Sequence, residues 1–194
     1  GGTVATLVEE APKPGTTAAI SLDRAVQTAA EDAVEPIPQQ AMLVVVQPST
    51  GQLLAVAQNG AADAAGALAL TGRFPPGSTF KIVTALAGVE QAGLSADTPV
   101  ACPWETVIGG RPVPNAERFD LGTVPLRRAF ARSCNTTFAT VGAGLAPDGL
   151  TTAALQLGLG ADYAVPALTT ITGAVPAAPD LVQRAEHRCA VGRL

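Results

Sequence analysis

Ser78 and Lys81 stand three residues apart in the stretch Phe74-Pro75-Pro76-Gly77-Ser78-Thr79-Phe80-Lys81, and that pairing could carry out acyl transfer. A serine hydroxyl is a poor nucleophile at neutral pH and needs a neighbour that takes its proton. A lysine can do so only if burial or nearby positive charge lowers its pKa. On a helix, residues three apart lie one turn away on the same face, so the Lys81 amine would reach the Ser78 hydroxyl. By itself an S-x-x-K pair also reads as a helix start followed by a solvated lysine. The chain holds only five serines and two lysines, however, so this spacing has a chance expectation of about 0.05 at such a composition, which favours chemistry.

A second constellation, Ser133-x-Asn135, pairs a hydroxyl with an amide two residues on. It offers a proton relay and a matched donor and acceptor for a peptide group. Alone it is weak, because Ser and Asn at a helix junction are commonly caps; with five serines and three asparagines its chance expectation is about 0.08.

These residues need elements to hold them. Pro76 and Gly77 sit poorly inside a helix, whereas Ile82, Val83, Leu86 and Val89 recur at helical spacing, which predicts a loop feeding a helix to about Ala92 with Gly93 as its C-cap. Ser78 then falls in the first turn, where free N–H groups favour the negative charge that acyl transfer develops. Upstream, Thr3–Val8 and Thr16–Leu22 read as strands, and Asp23 as the N-cap of a helix to about Val34 that Pro36 and Pro38 end. Met42–Val46 and Leu53–Ala57, joined by Pro48-Ser49-Thr50-Gly51, form the strongest hairpin signal. Both runs are apolar on successive residues, which predicts a sheet covered on both faces. Residues 59–73 read as loop or weak helix, and Thr98–Gly122, rich in Pro and Gly, as a long surface excursion. Pro125 suits the first turn of a helix that meets Ser133-Cys134-Asn135. A second helix runs from Thr136 to about Leu145 and a third from Gly149 to Leu157, with 158–180 loop-like apart from strand signals around Leu168–Thr172.

Composition bounds the classes. At 194 residues, 47% hydrophobic and 14% charged, the chain can bury one sizeable core. A net charge of −4 with the single His187 provides no basic patch and gives no support to a nucleic-acid partner. Three cysteines without a C-x-x-C pair, and one histidine among scattered carboxylates, predict no metal and no cofactor. No apolar run approaches a membrane span, so any export signal or anchor is expected upstream.

With both motifs in this order, the sequence resembles the transpeptidase domain of penicillin-binding proteins, serine acyl-transferases that share a fold with serine β-lactamases. The likeness also takes in Ile20-Ser21-Leu22-Asp23, the Pro48–Gly51 hairpin and the Arg73–Lys81 entry, and covers roughly residues 5–180. It implies an α+β fold, the N-terminal part of the β-lactamase/transpeptidase-like architecture, with an antiparallel sheet and flanking helices. Residues 1–15 would be a linker or the end of a preceding domain, 16–180 a partial transpeptidase domain, and 181–194 an atypical end. The resemblance implies Ser78 as acylated nucleophile, Lys81 as its base, Ser133 in the proton shuttle and Asn135 on the substrate's peptide amide. The implied partners are peptidoglycan stem peptides ending in D-alanyl-D-alanine, β-lactams as their mimics and other cell-wall synthesis proteins, at the extracytoplasmic face of a membrane to which the full-length parent is anchored.

The family's third motif, Lys followed by Ser or Thr and Gly, does not occur in these 194 residues, since the lysine besides Lys81 is Lys13, followed by Pro14 and Gly15. The expectation is therefore an incomplete domain, unreactive toward penicillin as it stands. A non-catalytic β-lactam sensor and a serine β-lactamase remain as alternatives of the same fold. In an exported domain Cys102 and Cys134 would be free to form a disulfide beside the cleft, leaving Cys189 single.

Overall fold

The computed structural model describes residue 15, residues 19–161 and residues 169–180. The strand expected at Thr3–Val8 and the atypical end at 181–194 lie outside them, as do residues 16–18 and Leu168. The chain divides into two compact units between Ala69 and Leu70.

In the first unit, helix α1 (Arg24–Val34) begins at Asp23, whose carboxylate accepts from the N–H groups of Ala25 and Val26 at 2.9 and 3.0 Å. Strands β1 (Met42–Gln47) and β2 (Gln52–Gln58) pair antiparallel, with a bulge between Val45 and Val46. Ala30 and Val34 of α1 pack on Ala55 and Ala57, with Val26, Leu43 and Val45 around them. Gln27 of α1 exchanges two hydrogen bonds with the backbone of Val56, each 2.9 Å, so a side chain occupies the β2 edge that another strand could pair with.

Two expectations for this unit are corrected. Residues 19–22 are not a strand. They and the N-cap that follows reach β2 through isolated bonds, Ser21 Oγ donating to Leu53 O at 2.7 Å and Asp23 N to Leu54 O at 2.9 Å, and isolated bonds make no ladder. Nor is the hairpin covered on both faces: Leu43 and Val45 meet α1, while Val44 and Val46 on the opposite face are 43% and 48% exposed. Two short helices, α2 (Gly60–Asp63) and α3 (Leu68–Thr71), follow, in keeping with weak helix there.

In the second unit a 3-10 turn, Gly77–Phe80, runs without a break into α4 (Lys81–Ala92), which Gly93 closes. Thr98–Gly122 is more ordered than the surface excursion expected of it. Strands β3 (Pro99–Cys102) and β6 (Gly122–Pro125) pair antiparallel around a separate hairpin of β4 (Glu105–Ile108) and β5 (Arg111–Pro114). Prolines obscure those strands in the sequence, yet Gly109 and Gly110, at φ 56° and 80°, supply the two positive-φ residues of a tight two-residue turn. Helices α5 (Leu126–Ala131), α6 (Asn135–Gly144) and α7 (Gly149–Gln156) complete the unit, and 169–172 forms no strand. Phe80, Val83 and Ala87 of the serine-bearing segment bury against Leu145, Leu150, Ala153 and Ala154. Gly88 lets α4 and α6 approach, since a Cβ there would lie 3.1 Å from Val141 Cγ1. That approach brings the two motifs together.

Candidate active site

Lys81 is the hinge of the site. Its side chain is 4% exposed, yet its Nζ donates to three acceptors: Ser78 Oγ at 2.9 Å, Ser133 Oγ at 3.1 Å and Asn135 Oδ1 at 2.7 Å. The structure thus gathers the other three residues singled out in the two motifs around the amine of the fourth, Lys81. An ammonium has three protons, and each has a partner here. Burial alone pushes Lys81 below its ordinary value of 10.5, because desolvation penalises the charged form. When the ammonium loses a proton, the lone pair can accept from the Ser78 hydroxyl while the two remaining N–H bonds stay on Ser133 and Asn135. That is the proton inventory of a base poised against a nucleophile.

Local structure sets each group. Gly77 at φ 56° turns the chain out of Pro75-Pro76, so that Ser78 is exposed at the start of the 3-10 turn while Lys81, one turn on, is buried beneath it. Ser133 closes α5. Its N–H donates to Phe130 O, and that of Cys134 to Ala129 O, both at 2.9 Å, the paired bonds of a Schellman ending. That ending puts Ser133 at φ 54°, where glycine is the usual occupant and another residue costs about 1–2 kcal/mol. The position keeps a hydroxyl in spite of this, and the hydroxyl meets Lys81.

Asn135 opens α6 and is gripped through Asn115, a residue for which the sequence gives no signal. Asn115 Oδ1 accepts from the N–H groups of Asn135 and Thr136 at 2.8 and 3.2 Å, and Pro114 O accepts from Asn135 Nδ2 at 3.1 Å. Thr136 and Thr137, also missed, tie the same turn to the end of β3 by donating to Pro103 O (3.0 Å) and Ala101 O (2.7 Å). Cys134 is joined to Cys102 by a disulfide with a Cα–Cα separation of 6.2 Å, which fastens the serine-asparagine turn to β3. Among the described residues no group of three or more His, Cys, Asp or Glu side chains could hold a metal, and no helix is long and apolar enough to cross a membrane.

A family model, the penicillin binding protein transpeptidase domain, matches residues 41–192. The peptidoglycan D,D-transpeptidase PbpA of Mycobacterium tuberculosis is 36% identical over 100 residues, which are 47% of this chain and 19% of that protein. The D,D-transpeptidase domain of a peptidoglycan glycosyltransferase from Eggerthella lenta superposes with a TM-score of 0.73 at 30% identity, over 88% of this chain and 45% of that one. Penicillin-binding protein A from M. tuberculosis, solved as an imipenem acyl-enzyme complex, does so with a TM-score of 0.72 at 26% identity, over 90% of this chain and 47% of that one. The chain thus spans less than half the length of these relatives. Because the family match takes in both the serine-lysine and the serine-asparagine segments and most of the residues between the chain's ends, this protein belongs to the penicillin binding protein transpeptidase domain family.

Proposed function

We propose that this chain carries the acylation half of a D,D-transpeptidase site that works on peptidoglycan stem peptides at the cell envelope and that β-lactams acylate. The observation that carries the reading is the buried Lys81 amine within hydrogen-bond reach of Ser78, Ser133 and Asn135 at once. Acylated relatives such as the imipenem complex of penicillin-binding protein A support the same chemistry.

In this reading Ser78 Oγ attacks the carbonyl carbon of the penultimate D-alanine, and neutral Lys81 takes the hydroxyl proton. Collapse of the tetrahedral adduct breaks the C–N bond to the terminal D-alanine, whose nitrogen receives a proton from Lys81 by way of the Ser133 hydroxyl. The ester left on Ser78 passes to the amine of a second stem peptide. Asn135 holds the substrate's peptide amide. A β-lactam follows the first step, with its ring C–N bond as the one that breaks.

The test is gel fluorescence after incubation of the full gene product with a labelled penicillin. We expect stoichiometric labelling that disappears in Ser78→Ala and Lys81→Ala and weakens more gradually in Asn135→Ala. The 194 residues by themselves, which contain no Lys-[Ser/Thr]-Gly triplet, should stay unlabelled. Labelling of Lys81→Ala at near the parent rate would remove Lys81 from the role of base.

A further inference from the structure

Asn115 is 3% exposed, and every hydrogen-bonding position of its amide is taken. Oδ1 accepts from Asn135 N–H (2.8 Å) and Thr136 N–H (3.2 Å), while Nδ2 donates to Pro103 O (2.8 Å) and Phe119 O (3.0 Å), with Cys102 Sγ a further 3.5 Å contact. The first N–H groups of a helix have no intrahelical acceptor, and α6 receives none from the side chain of its own N-cap, Cys134. A residue 20 positions upstream supplies the cap instead. Its neighbour Pro114 accepts from Asn135 Nδ2, so two consecutive residues hold both the backbone and the side-chain amide of Asn135 and leave Oδ1 to Lys81.

The chain after Asn115 is bent to serve this arrangement. Glu117 and Arg118 both adopt positive φ, 51° and 54°, and the turn they make returns Phe119 O to Asn115 Nδ2. Two successive non-glycine residues in that region are costly and persist only where their surroundings over-determine them. The disulfide fixes where Cys134 lies, but it does not orient the Asn135 amide; Asn115 and Pro114 do.

We infer that Asn115 is the positioning residue of this site, its buried amide holding the first turn of α6 where Asn135 Oδ1 meets Lys81 Nζ. The role in acylation rests on the function proposed above, whereas the positioning is measurable without it. Ser78, Ser133 and Asn135 are uncharged, and the 3-10 turn, α6 and α7, which pack around α4, carry no charged residue. Besides Lys81 itself, the charged residues of α4, β5 and α5 are Glu90, Arg111, Arg127 and Arg128, and burial rather than any of these charges lowers Lys81, so loss of the Asn135 acceptor acts on it directly. An acceptor stabilises the ammonium, so losing it lowers the Lys81 midpoint further.

The chain has two lysines, Lys13 and Lys81, so 13C-lysine labelling gives two Cε signals to follow through a pH titration. Asn115→Ala should move the Lys81 midpoint to lower pH and speed exchange of the Asn135 and Thr136 amide hydrogens, for which slow exchange is expected in the parent. Asn135→Ala should move the midpoint in the same direction, and the double variant no further than Asn135→Ala alone. A merely structural Asn115 would lower the melting temperature with the midpoint in place. A folded Asn115→Ala with the parent midpoint, a double variant that moves it beyond Asn135→Ala, or fast exchange of the two amides in the parent overturns the inference. Should Asn115→Ala not fold, Asn115→Asp, which keeps the acceptor oxygen, should retain slow exchange at both amides, and fast exchange there overturns the inference as well. In the full gene product Asn115→Ala should slow penicillin acylation by no more than Asn135→Ala does. If the parent is not acylated at all, the transpeptidase reading fails while the lysine titration still decides the positioning.

Discussion

Lys81 and Ser133 each hold a state that folding alone would not choose. For Lys81 the state is a proton affinity lowered by burial. A lysine whose folded pKa lies below its unfolded one binds fewer protons when folded across the interval between the two values. Stability therefore rises with pH from the lowered pKa toward 10.5, and below that interval the folded state carries the whole penalty. Denaturant unfolding measured at several pH values should show that rise in the parent and lose it in Lys81→Met; an identical slope in the variant would assign the effect elsewhere. The same lowering should place the acid limb of the acylation rate below the pH at which an ordinary lysine gives up its proton. For Ser133 the state is backbone at φ 54°. Ser133→Ala and Ser133→Gly both delete the hydroxyl that Lys81 donates to, and differ only in the Cβ that the left-handed region disfavours. The glycine variant should be the more stable by about 0.5–1 kcal/mol in chemical denaturation, with both slow to acylate. An alanine variant more stable than the glycine variant by about 0.4–1 kcal/mol, the gap that the unfolded chain alone produces, would mean that the turn carries no strain.

The serine-lysine turn, the α1 cap and the α4 C-cap were legible in the sequence because each is written within a few neighbouring residues. Ser78 and Lys81 need only helical spacing, Asp23 caps the two N–H groups beyond it, and Gly93 follows the last apolar repeat. The β3–β6 pair was not legible, because its strands lie some 20 residues apart and carry Pro99 and Pro125 at one end of the ladder. Asn115 was hidden for a related reason. Its role exists only once Asn135 has been brought back beside it, and nothing in Pro114-Asn115-Ala116 anticipates that contact. The disulfide joins these same non-local parts, and it closes a loop of 32 residues. By chain entropy such a loop is worth about 3–4 kcal/mol, so Cys102→Ser/Cys134→Ser should unfold at a correspondingly lower denaturant concentration. Peptide mapping of the exported protein without reductant should recover Cys102 linked to Cys134. Recovery of both as alkylated thiols from the folded protein would show that the turn is held without the covalent tie.

The first unit presents a different problem from the site. Its described sheet has two strands, and such a hairpin is marginal in water unless something packs on it. Helix α1 covers one face through Ala30 and Val34, and Gln27 occupies part of the β2 edge, but Val44 and Val46 stand about half exposed on the other face of β1. An apolar strand face beside an edge that has no strand partner among the described residues favours pairing with another copy, and natural sheets blunt such edges with charge. In β1, Met42–Gln47, there is no charged residue. The 194-residue chain should therefore self-associate as its concentration rises, seen as growth in mass by light scattering. Val44→Lys/Val46→Lys should suppress that growth while leaving the far-ultraviolet circular dichroism unchanged, because both side chains point away from the α1 contact. If the double variant associates as readily as the parent, the sticky surface lies elsewhere and the open face of the hairpin is not what limits the solubility of this chain.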